Sequence, residues 1–490
     1  MTDWLRSAST TGPTAASPRN ARQVAFRVLQ SYRVRRVFVG RLLDEQFGRL
    51  PSPQQSAAEW RLASELAFGI VRRKSTLNAL IERHLTRPRH QVESDAWTLL
   101  QIGVYQLVFF SSVPAHAAVH ETVELAKWLG KSRWSGFING VLRAVQRDVT
   151  DETTNEPAAD AVPLNGPGFR RLLRPAFPDP HADPVGYFVA AFSFPPWLAR
   201  RWYARFGSSE LFQLGTWFNT PPAICLRPNR LRTTREELLQ RLGSRVSPEP
   251  PEFVVSEPAD RSPAPPLDSV HDVLWLTEHV RIPDLPGYDE GLFVVQDPTA
   301  MEAVRLLAPE PGQTILDLCA APGTKTVLLA EQMQNQGRIL ATDVDERRLD
   351  RVRENSRRLG VEIVETRRVA PDGHDIPAGP FDAVLVDVPC SNTGVLGKRP
   401  EARWRIQPRD LEELAAVQRK LLAIALARVR PGGRVVYCTC SIEPEENENV
   451  VQAVLRRVPG VRLETMRFHH PGRPSDGGYQ ALLIREDSTT

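Results

Sequence analysis

The stretch Thr314–Thr326 reads TILDLCAAPGTKT and decides the fold of the C-terminal part of this chain. It opens with a short apolar run, Ile315–Leu318, whose length and composition predict a buried parallel strand. A turn of small residues follows, and a helical pattern begins at Lys325. A strand, a tight turn and a helix in this order expose backbone N–H groups at a helix N-terminus, where a ligand can bind. The sequence therefore predicts a ligand site at this turn.

Beyond this turn, strands and helices alternate to the end of the chain. This alternation predicts a mainly parallel, doubly wound α/β sheet of the Rossmann-like kind. The second strand ends at Asp343, the third at Asp387–Cys390 and the fourth at Thr439–Ser441. Because the carboxyl ends of parallel strands meet at one edge of the sheet, these strand ends are expected to form a single site.

Asp343 indicates what kind of cofactor the turn would bind. An acidic side chain about 20 residues beyond such a turn can accept hydrogen bonds from the ribose hydroxyls of an adenosine-containing cofactor. The GxGxxG pattern of dinucleotide-binding proteins is absent, and the turn reads AAPGTK instead. A turn with proline and few glycines suits a cofactor without phosphates, so we predict S-adenosyl-L-methionine.

Two thiols follow strands at this predicted edge. Cys390 comes after the third strand, and the fourth strand carries Cys438 and Cys440. Carbon 5 of a pyrimidine is a poor nucleophile, and a thiolate that adds at carbon 6 activates it for methylation. Cys440, at the strand end, is the better candidate for this role, and we interpret Cys438 as a packing residue. Zinc is the alternative for a C-x-C pair, but no further Cys or His pair has matching spacing, so no metal is predicted.

Three motifs together resemble one known family, the bacterial Sun/Fmu (RsmB-type) 16S rRNA cytosine-5 methyltransferases. The motifs are LDLCAAPGTKT, DVPCSNTG and YCTCSIEPEENENVV. The resemblance implies that Cys440 is the nucleophile and that Cys390 assists release of the methylated base. It further implies that Asp387 contacts the N3 edge of cytosine and that Lys325 lies near the reacting groups.

The same resemblance implies a cofactor site and a substrate. The substrate would be one cytidine of small-subunit rRNA, free or partly assembled. The residues implied to hold S-adenosyl-L-methionine are Cys319, Ala320, Ala321, Pro322, Gly323, Thr324, Lys325, Asp343 and Asp387.

Two positions depart from the family pattern. Thr324 stands where the family turn usually has a second glycine, and threonine would be strained there if the backbone needs a positive φ. The acidic residue that binds the adenine side in the family is missing from residues 364–369, and Asp372 is the candidate to replace it.

The rest of the chain divides by composition. The segment FINGVLR (Phe137–Arg143) resembles NusB-type RNA-binding helical domains, and a later segment, PPWL…NTPPAICLRPN, matches the same methyltransferase family. We predict, in order, a disordered tail, a NusB-like helical RNA-binding domain, a linker, a small α/β RNA-binding platform and the methyltransferase domain, over residues 1–17, 18–150, 151–185, 186–296 and 297–490.

Composition sets the broad class. The 490 residues are 41% hydrophobic and 24% charged with a net charge of +4, which fits a multidomain soluble protein with a weak preference for polyanions. Five cysteines do not make a disulfide framework in so long a chain. The longest apolar run, Trp97–Val113, is interrupted by glutamines and is short for a bilayer span. We therefore predict a cytoplasmic monomer without a membrane segment.

Two other functions stay open on sequence grounds. A DNA cytosine-5 methyltransferase would use Cys390 as its nucleophile, and Glu448–Val450 mimics the ENV tripeptide of that family, although the FxGxG turn is absent. A catalytically inactive rRNA-binding assembly factor is the alternative without an enzymatic activity. The presence of Cys390, Cys440, Asp387 and Lys325 argues against it.

Overall fold

A computed structural model describes residues 17–35, 37–51, 54–251, 267–472 and 474–486. The predicted disordered tail over residues 1–17 lies outside the described residues except for Ser17. The chain forms two compact units: residues 1–221 with 397–404, and residues 222–396 with 405–490.

The helices in chain order are α1 (Ala21–Arg35), α2 (Val39–Phe47), α3 (Ala57–Arg72), α4 (Lys74–Glu82), α5 (Ser94–Phe109), α6 (Ala115–Trp128), α7 (Ser135–Asp148), α8 (Pro184–Ala191), α9 (Pro196–Asn219), α10 (Arg235–Leu242), α11 (Pro298–Leu307), α12 (Thr324–Gln332), α13 (Glu346–Leu359), α14 (Ala402–Arg405), α15 (Pro408–Arg428) and α16 (Glu448–Leu455).

The strands in chain order are β1 (Val149–Thr154), β2 (Ala161–Pro163), β3 (Phe169–Leu172), β4 (Cys225–Pro228), β5 (Val246–Ser247), β6 (Leu274–Leu276), β7 (Phe293–Val295), β8 (Thr314–Leu318), β9 (Arg338–Asp343), β10 (Val364–Arg368), β11 (Phe381–Asp387), β12 (Val429–Thr439), β13 (Val461–His469) and β14 (Gly478–Arg485).

The first unit begins with seven helices, α1 to α7, as the sequence predicts for its N-terminal domain. The apolar run that starts at Trp97 forms α5, and nearly every side chain from Ala96 to Val108 is buried. Burying one such apolar side chain stabilises the fold by about 1.5–3 kcal/mol. Within the described residues, no helix has both the length and the apolar character that crossing a membrane requires.

The predicted linker over residues 151–185 contains regular structure. Strands β1, β3 and β2 form a small antiparallel sheet in that order, and α8 follows. The sequence gives little periodicity here because the strands are short. A hydrogen bond to α5 also stabilises this sheet, because the Arg170 side chain of β3 donates to the carbonyl of Val108 at 2.7 Å.

Residues 397–404 pack in the first unit, although they follow the DVPCSNTG motif in the sequence. The guanidinium group of Arg403 is fully buried and donates to the carbonyls of Ser193 (3.1 Å) and Phe218 (3.2 Å). It also lies over the Phe194 ring, with 4.0 Å between the guanidinium carbon and the ring centroid. The local sequence does not predict that residues 397–404 pack in the first unit, because the hydrogen-bond acceptors of Arg403 are far away in the chain.

The described part of the second unit contains two sheets. A four-stranded antiparallel sheet, in the order β5-β6-β4-β7, forms the platform predicted from the sequence. A seven-stranded sheet has the order β10-β9-β8-β11-β12-β14-β13. Its first five strands are parallel, and β14 pairs antiparallel with both β12 and β13.

Helices cover both faces of the large sheet, which confirms the predicted doubly wound fold. One core joins α11 and α12 to the sheet through residues such as Val304, Leu329 and Ile315. The other core packs α15 and α16 on the sheet through residues such as Leu422 and Val450. The strand order reverses between β8 and β11, which is the switch point where ligands bind in open α/β sheets.

Candidate active site

The turn after β8 has the conformation that its small residues suggest. Gly323 has φ 98° and directly precedes α12, and a Cβ atom there would lie 3.2 Å from the Cα atom of Val352. Thr324 is the first residue of α12 and is not among the residues with positive φ. The left-handed residue directly before α12 is therefore Gly323, and the strain that Thr324 could have introduced does not arise.

Asp343 ends β9 and is buried, with 2% of its surface exposed. Its Oδ1 accepts from the backbone N–H of Asp345 at 3.1 Å and lies 3.4 Å from the Arg348 guanidinium. Its Oδ2 is buried with no hydrogen-bond partner among the described residues. Burial raises the pKa of the Asp343 carboxyl, and the Arg348 charge opposes that shift. A buried carboxylate oxygen without a partner fits a ligand that brings its own hydroxyl donors.

Asp317 lies in the last part of β8 and is fully buried. Its Oδ2 accepts from the Thr326 hydroxyl at 2.6 Å, and its Oδ1 is buried and has no hydrogen-bond partner in the part of the chain that the structure describes. Burial raises the pKa of this carboxyl from 3.8 to about 7, although the Thr326 hydrogen bond opposes the shift. Asp317 is thus a buried titratable group beside the turn, although its sequence pattern indicates only a strand residue.

Replacing Asp317 by asparagine is expected to flatten the pH dependence of stability. Because the pKa of Asp317 is higher in the folded protein than in the unfolded chain, the folded state binds more protons between about pH 4 and pH 7. The resulting stability is present at low pH and is lost as the pH rises through the folded-state pKa. From the two pKa values, the wild-type protein should lose roughly 2.5 kcal/mol from this group between pH 5 and pH 8.

The measurement is urea-induced unfolding of wild type and Asp317→Asn at both pH values. Asp350→Asn, which changes a carboxylate that is 57% exposed, serves as the matched control and should keep the wild-type pH dependence. An equal loss of stability in Asp317→Asn and in the wild type would contradict the assignment.

Lys325 and Asp387 form an ion pair beside the turn, with 2.7 Å between Lys325 Nζ and Asp387 Oδ2. Burial disfavours the charged form of Lys325, but the Asp387 carboxylate outweighs it and raises the pKa of Lys325 above its usual range. The Cys438 thiol lies 3.5 Å from Asp387 Oδ1, and burial together with this carboxylate raises the pKa of that thiol. Cys438 therefore packs in the core, as interpreted from the sequence, and also contacts Asp387.

The sulfur atoms of Cys390 and Cys440 are 3.0 Å apart. The hydrogen bond between them is the largest cause, and burial the second, that raises the pKa of the Cys390 thiol well above its ordinary value. Cys390 thus keeps its proton, while the Lys325 ammonium has a favourable charge interaction with the sulfur of Cys440. This asymmetry favours Cys440 as the thiolate of the pair.

Asn392 completes the surroundings of the two thiols. Its side-chain amide donates to the carbonyl of Cys390 at 2.8 Å, and its Oδ1 lies 3.4 Å from the sulfur of Cys440. Gly394 donates its N–H to the carbonyl of Cys440 at 3.0 Å. A Cβ atom at Gly394 would lie 2.4 Å from the Gly477 carbonyl oxygen, so only glycine fits here. Asn392 was not among the residues predicted from the sequence, although its place two residues after Cys390 is a signal that could have identified it.

Asp372, the candidate for the adenine side, lies apart from these contacts. Its carboxylate is 61% exposed, and its hydrogen bonds among the described residues go to His374, with 2.6 Å between Asp372 Oδ1 and His374 Nδ1. The other predicted residues lie at or just beyond the carboxyl ends of β8, β9, β11 and β12: Cys319 to Lys325, Asp343, Asp387, Cys390 and Cys440. Among the described residues, no group of three or more His, Cys, Asp or Glu side chains could hold a metal ion.

Three family models match this chain. Residues 304–484 match the 16S rRNA methyltransferase RsmB/F family, residues 19–147 match the NusB family, and residues 194–247 match the ferredoxin-like domain of RsmF/B-like methyltransferases.

Two solved structures share the fold. The crystal structure of PH0851 is 23% identical and has a TM-score of 0.71, covering 96% of this chain and all of its own. A methyltransferase homologue from Pyrococcus horikoshii is 27% identical with a TM-score of 0.50, over 61% of this chain and 97% of its own.

Curated relatives match over most of their length. The ribosomal RNA small subunit methyltransferase B of Salmonella arizonae is 35% identical, over 89% of this chain and 94% of that protein. A probable enzyme of the same name from Synechocystis is 32% identical, over 92% of each chain. On this extent of identity, the chain belongs to the ribosomal RNA small subunit methyltransferase B family.

Proposed function

We propose that this protein methylates carbon 5 of one cytidine in small-subunit (16S) rRNA through a covalent bond between Cys440 and carbon 6 of the base. The observation that carries the proposal is the 3.0 Å separation of the Cys390 and Cys440 sulfur atoms beside the Lys325–Asp387 ion pair. Membership of an rRNA methyltransferase family supplies the substrate class.

The cofactor is S-adenosylmethionine, on which this methyltransferase family depends. The residues present fit it: Gly323 places no capping side chain over the start of α12, and Asp343 Oδ2 is a buried acceptor that has no hydrogen-bond partner within the described ranges. Asp343 would hold the ribose hydroxyls, and the turn residues from Cys319 to Lys325 would line the rest of the cofactor. When bound, the cofactor supplies an electrophilic methyl group.

Cys440 acts first in the proposed reaction. Its thiolate forms a bond to carbon 6 of cytosine, and the electrons of the carbon 5–carbon 6 double bond make carbon 5 nucleophilic. The Lys325 ammonium stabilises the thiolate before it reacts, and Asp387 contacts the N3 edge of the base. The ion pair between Lys325 and Asp387 keeps both side chains in place for these roles.

Cys390 acts after methylation. The proton on carbon 5 must leave so that its electron pair can restore the double bond and break the bond between carbon 6 and sulfur. Cys390 is within hydrogen-bond distance of the departing sulfur, so it can donate its proton to Cys440 as the carbon 6–sulfur bond breaks, and the Cys390 thiolate that results accepts the proton from carbon 5. The two thiols therefore divide attack and release between them.

The remaining assignments follow from the substrate. We propose that residues 18–150 and the platform within 186–296 contact rRNA that is free or partly assembled, and that the protein works as a monomer in the cytoplasm, where this rRNA is made. We also propose that Asp372 contacts the adenine side of the cofactor. For this contact, the exposed loop that carries Asp372 has to reach the cofactor.

The proposal is tested by incubating the protein with labelled S-adenosylmethionine and small-subunit rRNA and then mapping 5-methylcytidine by bisulfite sequencing. One modified cytidine is expected, and the same cytidine should lose its modification in a strain that lacks the protein. Binding of the rRNA without methyl transfer would favour an inactive assembly factor, and labelling of DNA in place of RNA would favour a DNA methyltransferase.

Asp343→Asn is expected to weaken S-adenosylmethionine binding. Asparagine keeps the shape of the side chain but loses one charged acceptor, and a hydrogen bond to a charged group contributes about 1.5–3 kcal/mol. The dissociation constant, measured by isothermal titration calorimetry, should therefore rise by roughly 10- to 150-fold. Asp345→Asn is the control, because asparagine also caps a helix well and Asp345 caps α13. Unchanged binding in Asp343→Asn would remove Asp343 from the cofactor site.

A further inference from the structure

Each of the two thiols is followed by a serine, and both serines contact one buried carboxylate. Ser391 comes after Cys390, and Ser441 comes after Cys440. Glu446 is fully buried, and its Oε1 accepts from the backbone N–H of Ser391 at 2.8 Å. Its Oε2 accepts from the hydroxyl groups of both serines. One side chain thus ties together two loops whose cysteines are 50 residues apart in the chain.

The residue before Cys390 joins the same network. The Gln418 side-chain amide donates to Glu446 Oε1 at 3.0 Å and to the carbonyl of Pro389 at 2.9 Å. Both backbone neighbours of Cys390 are therefore held, one by Glu446 itself and the other through Gln418. Gln418 is fully buried and belongs to α15, which packs against the sheet.

Asn447 holds the other thiol in a similar way. Its Oδ1 accepts from the hydroxyl of Thr439 at 2.6 Å, and its Nδ2 donates to the carbonyl of Ser441 at 3.0 Å. Thr439 and Ser441 are the two chain neighbours of Cys440. Asn447 is fully buried, so these bonds form out of contact with water.

We propose that Glu446 and Asn447 are positioning residues that set the separation and orientation of the Cys390 and Cys440 sulfur atoms. Neither touches a sulfur atom in the described contacts, and each acts through the residues that flank a thiol. The buried carboxylate of Glu446 has the donors it needs from four groups, so it forms a rigid junction between the two loops. The role in catalysis rests on the proposed function, because it requires the two thiols to act on one base.

The charge of the Glu446 carboxylate supports a glutamate at this position. Burial raises the pKa of Glu446, whereas the hydrogen bonds from Ser391 and Ser441 favour its charged form. A charged Glu446 also raises the pKa of the nearby Cys390 thiol, although less than the hydrogen bond with Cys440 and burial do. The same carboxylate that fixes the geometry therefore helps Cys390 to keep its proton.

The first experiment measures the sulfur separation without RNA or cofactor. Phenylarsine oxide bridges two neighbouring thiols and releases one water, and peptide mass spectrometry identifies which cysteines it joins. The wild-type protein should give a Cys390–Cys440 bridge. Glu446→Ala should lower the rate of this bridging at least 10-fold, and Glu446→Gln, which keeps the shape and one acceptor oxygen, should restore part of it. Glu448→Ala is the control, because it removes a carboxylate two residues away at the start of α16, and it should bridge at the wild-type rate.

Folding is checked by thermal melting of each variant. If Glu446→Ala does not fold, Ser441→Ala replaces it, because this change removes a single hydroxyl donor to the carboxylate. If the variant that folds, Glu446→Ala or Ser441→Ala, bridges within twofold of the wild-type rate, the positioning role is overturned.

The second experiment separates this inference from the proposed function. With rRNA and S-adenosylmethionine, Glu446→Gln should lower kcat by 10-fold or more, leave the Kd of the cofactor within twofold, and raise the fraction of protein covalently joined to RNA. If the Glu446 variants bridge more slowly than the wild type but the wild type itself forms no 5-methylcytidine, the positioning role is supported and the proposed function is rejected. Normal bridging and turnover in both Glu446 variants, with an active wild type, would reject the positioning role alone.

Discussion

Cys440→Ala is expected to abolish methyl transfer to small-subunit rRNA. Without the thiolate, carbon 5 of cytosine is not activated, and loss of a catalytic nucleophile lowers the rate by roughly 10³-fold or more. The assay is incorporation of labelled methyl groups into rRNA under single-turnover conditions. No covalent protein–RNA species should form, because the bond to carbon 6 requires the sulfur of Cys440.

Cofactor binding provides an internal check on the Cys440→Ala protein. Its Kd for S-adenosylmethionine should stay within about twofold of wild type, since Asp343 and the turn at Gly323 are unchanged. Cys225→Ala, at a buried cysteine of β4, is the matched cysteine control and should retain activity. Substantial methyl transfer by a folded Cys440→Ala protein would assign the nucleophile elsewhere, with Cys390 as the first alternative.

Cys390→Ala is expected to trap the protein on its RNA. Attack by Cys440 and methylation can still occur, but the thiol 3.0 Å from the departing sulfur is gone. Loss of a proton-transfer group slows the assisted step by roughly 10²- to 10⁴-fold, so the methylated adduct should accumulate. The adduct is measured as a methyl-labelled protein–RNA band that survives denaturing electrophoresis and disappears on ribonuclease treatment.

The two cysteine variants together distinguish the open alternatives. In the double variant Cys390→Ala/Cys440→Ala, the trapped band should be absent, since the covalent bond depends on Cys440. A DNA-type mechanism reverses the two roles, so that Cys440→Ala would form the trapped covalent adduct and Cys390→Ala would be inactive. Normal turnover by Cys390→Ala would show that release does not use this thiol.

Local sequence features predicted the scaffold of the site well. The apolar run from Ile315, the small-residue turn and the acidic end of the second strand predicted the Rossmann-like fold and the cofactor, because strand, turn and helix propensities act over a few residues. Thr324 is not strained by a positive φ, since the residue with positive φ directly before α12 is Gly323. Such one-residue differences in register are hard to predict from composition alone.

Contacts between distant residues were harder to predict. Asp317 reads as one polar residue in an apolar strand, and only its burial in the folded core raises its pKa to about 7, against the effect of the Thr326 hydrogen bond. Asn392 and Glu446 stood in the quoted motifs without a role. Their functions depend on which loop each side chain meets, and the sequence does not state this. The short strands of the predicted linker were missed because a few residues carry too little periodicity.

The sequence by itself determined the alternation of strands and helices after residue 297, the turn at Gly323 and the presence of two thiols at strand ends, because these follow from local conformational preferences. Only the tertiary structure decided that Cys390 and Cys440 meet. Strands β11 and β12 are neighbours in a register that pairs Asp387 with Cys438, and the thiols follow directly beyond this pair. It also decided that Arg403 is buried in the first unit. Both outcomes depend on packing and hydrogen bonds between residues far apart in the chain, whose free energy no short stretch of sequence contains.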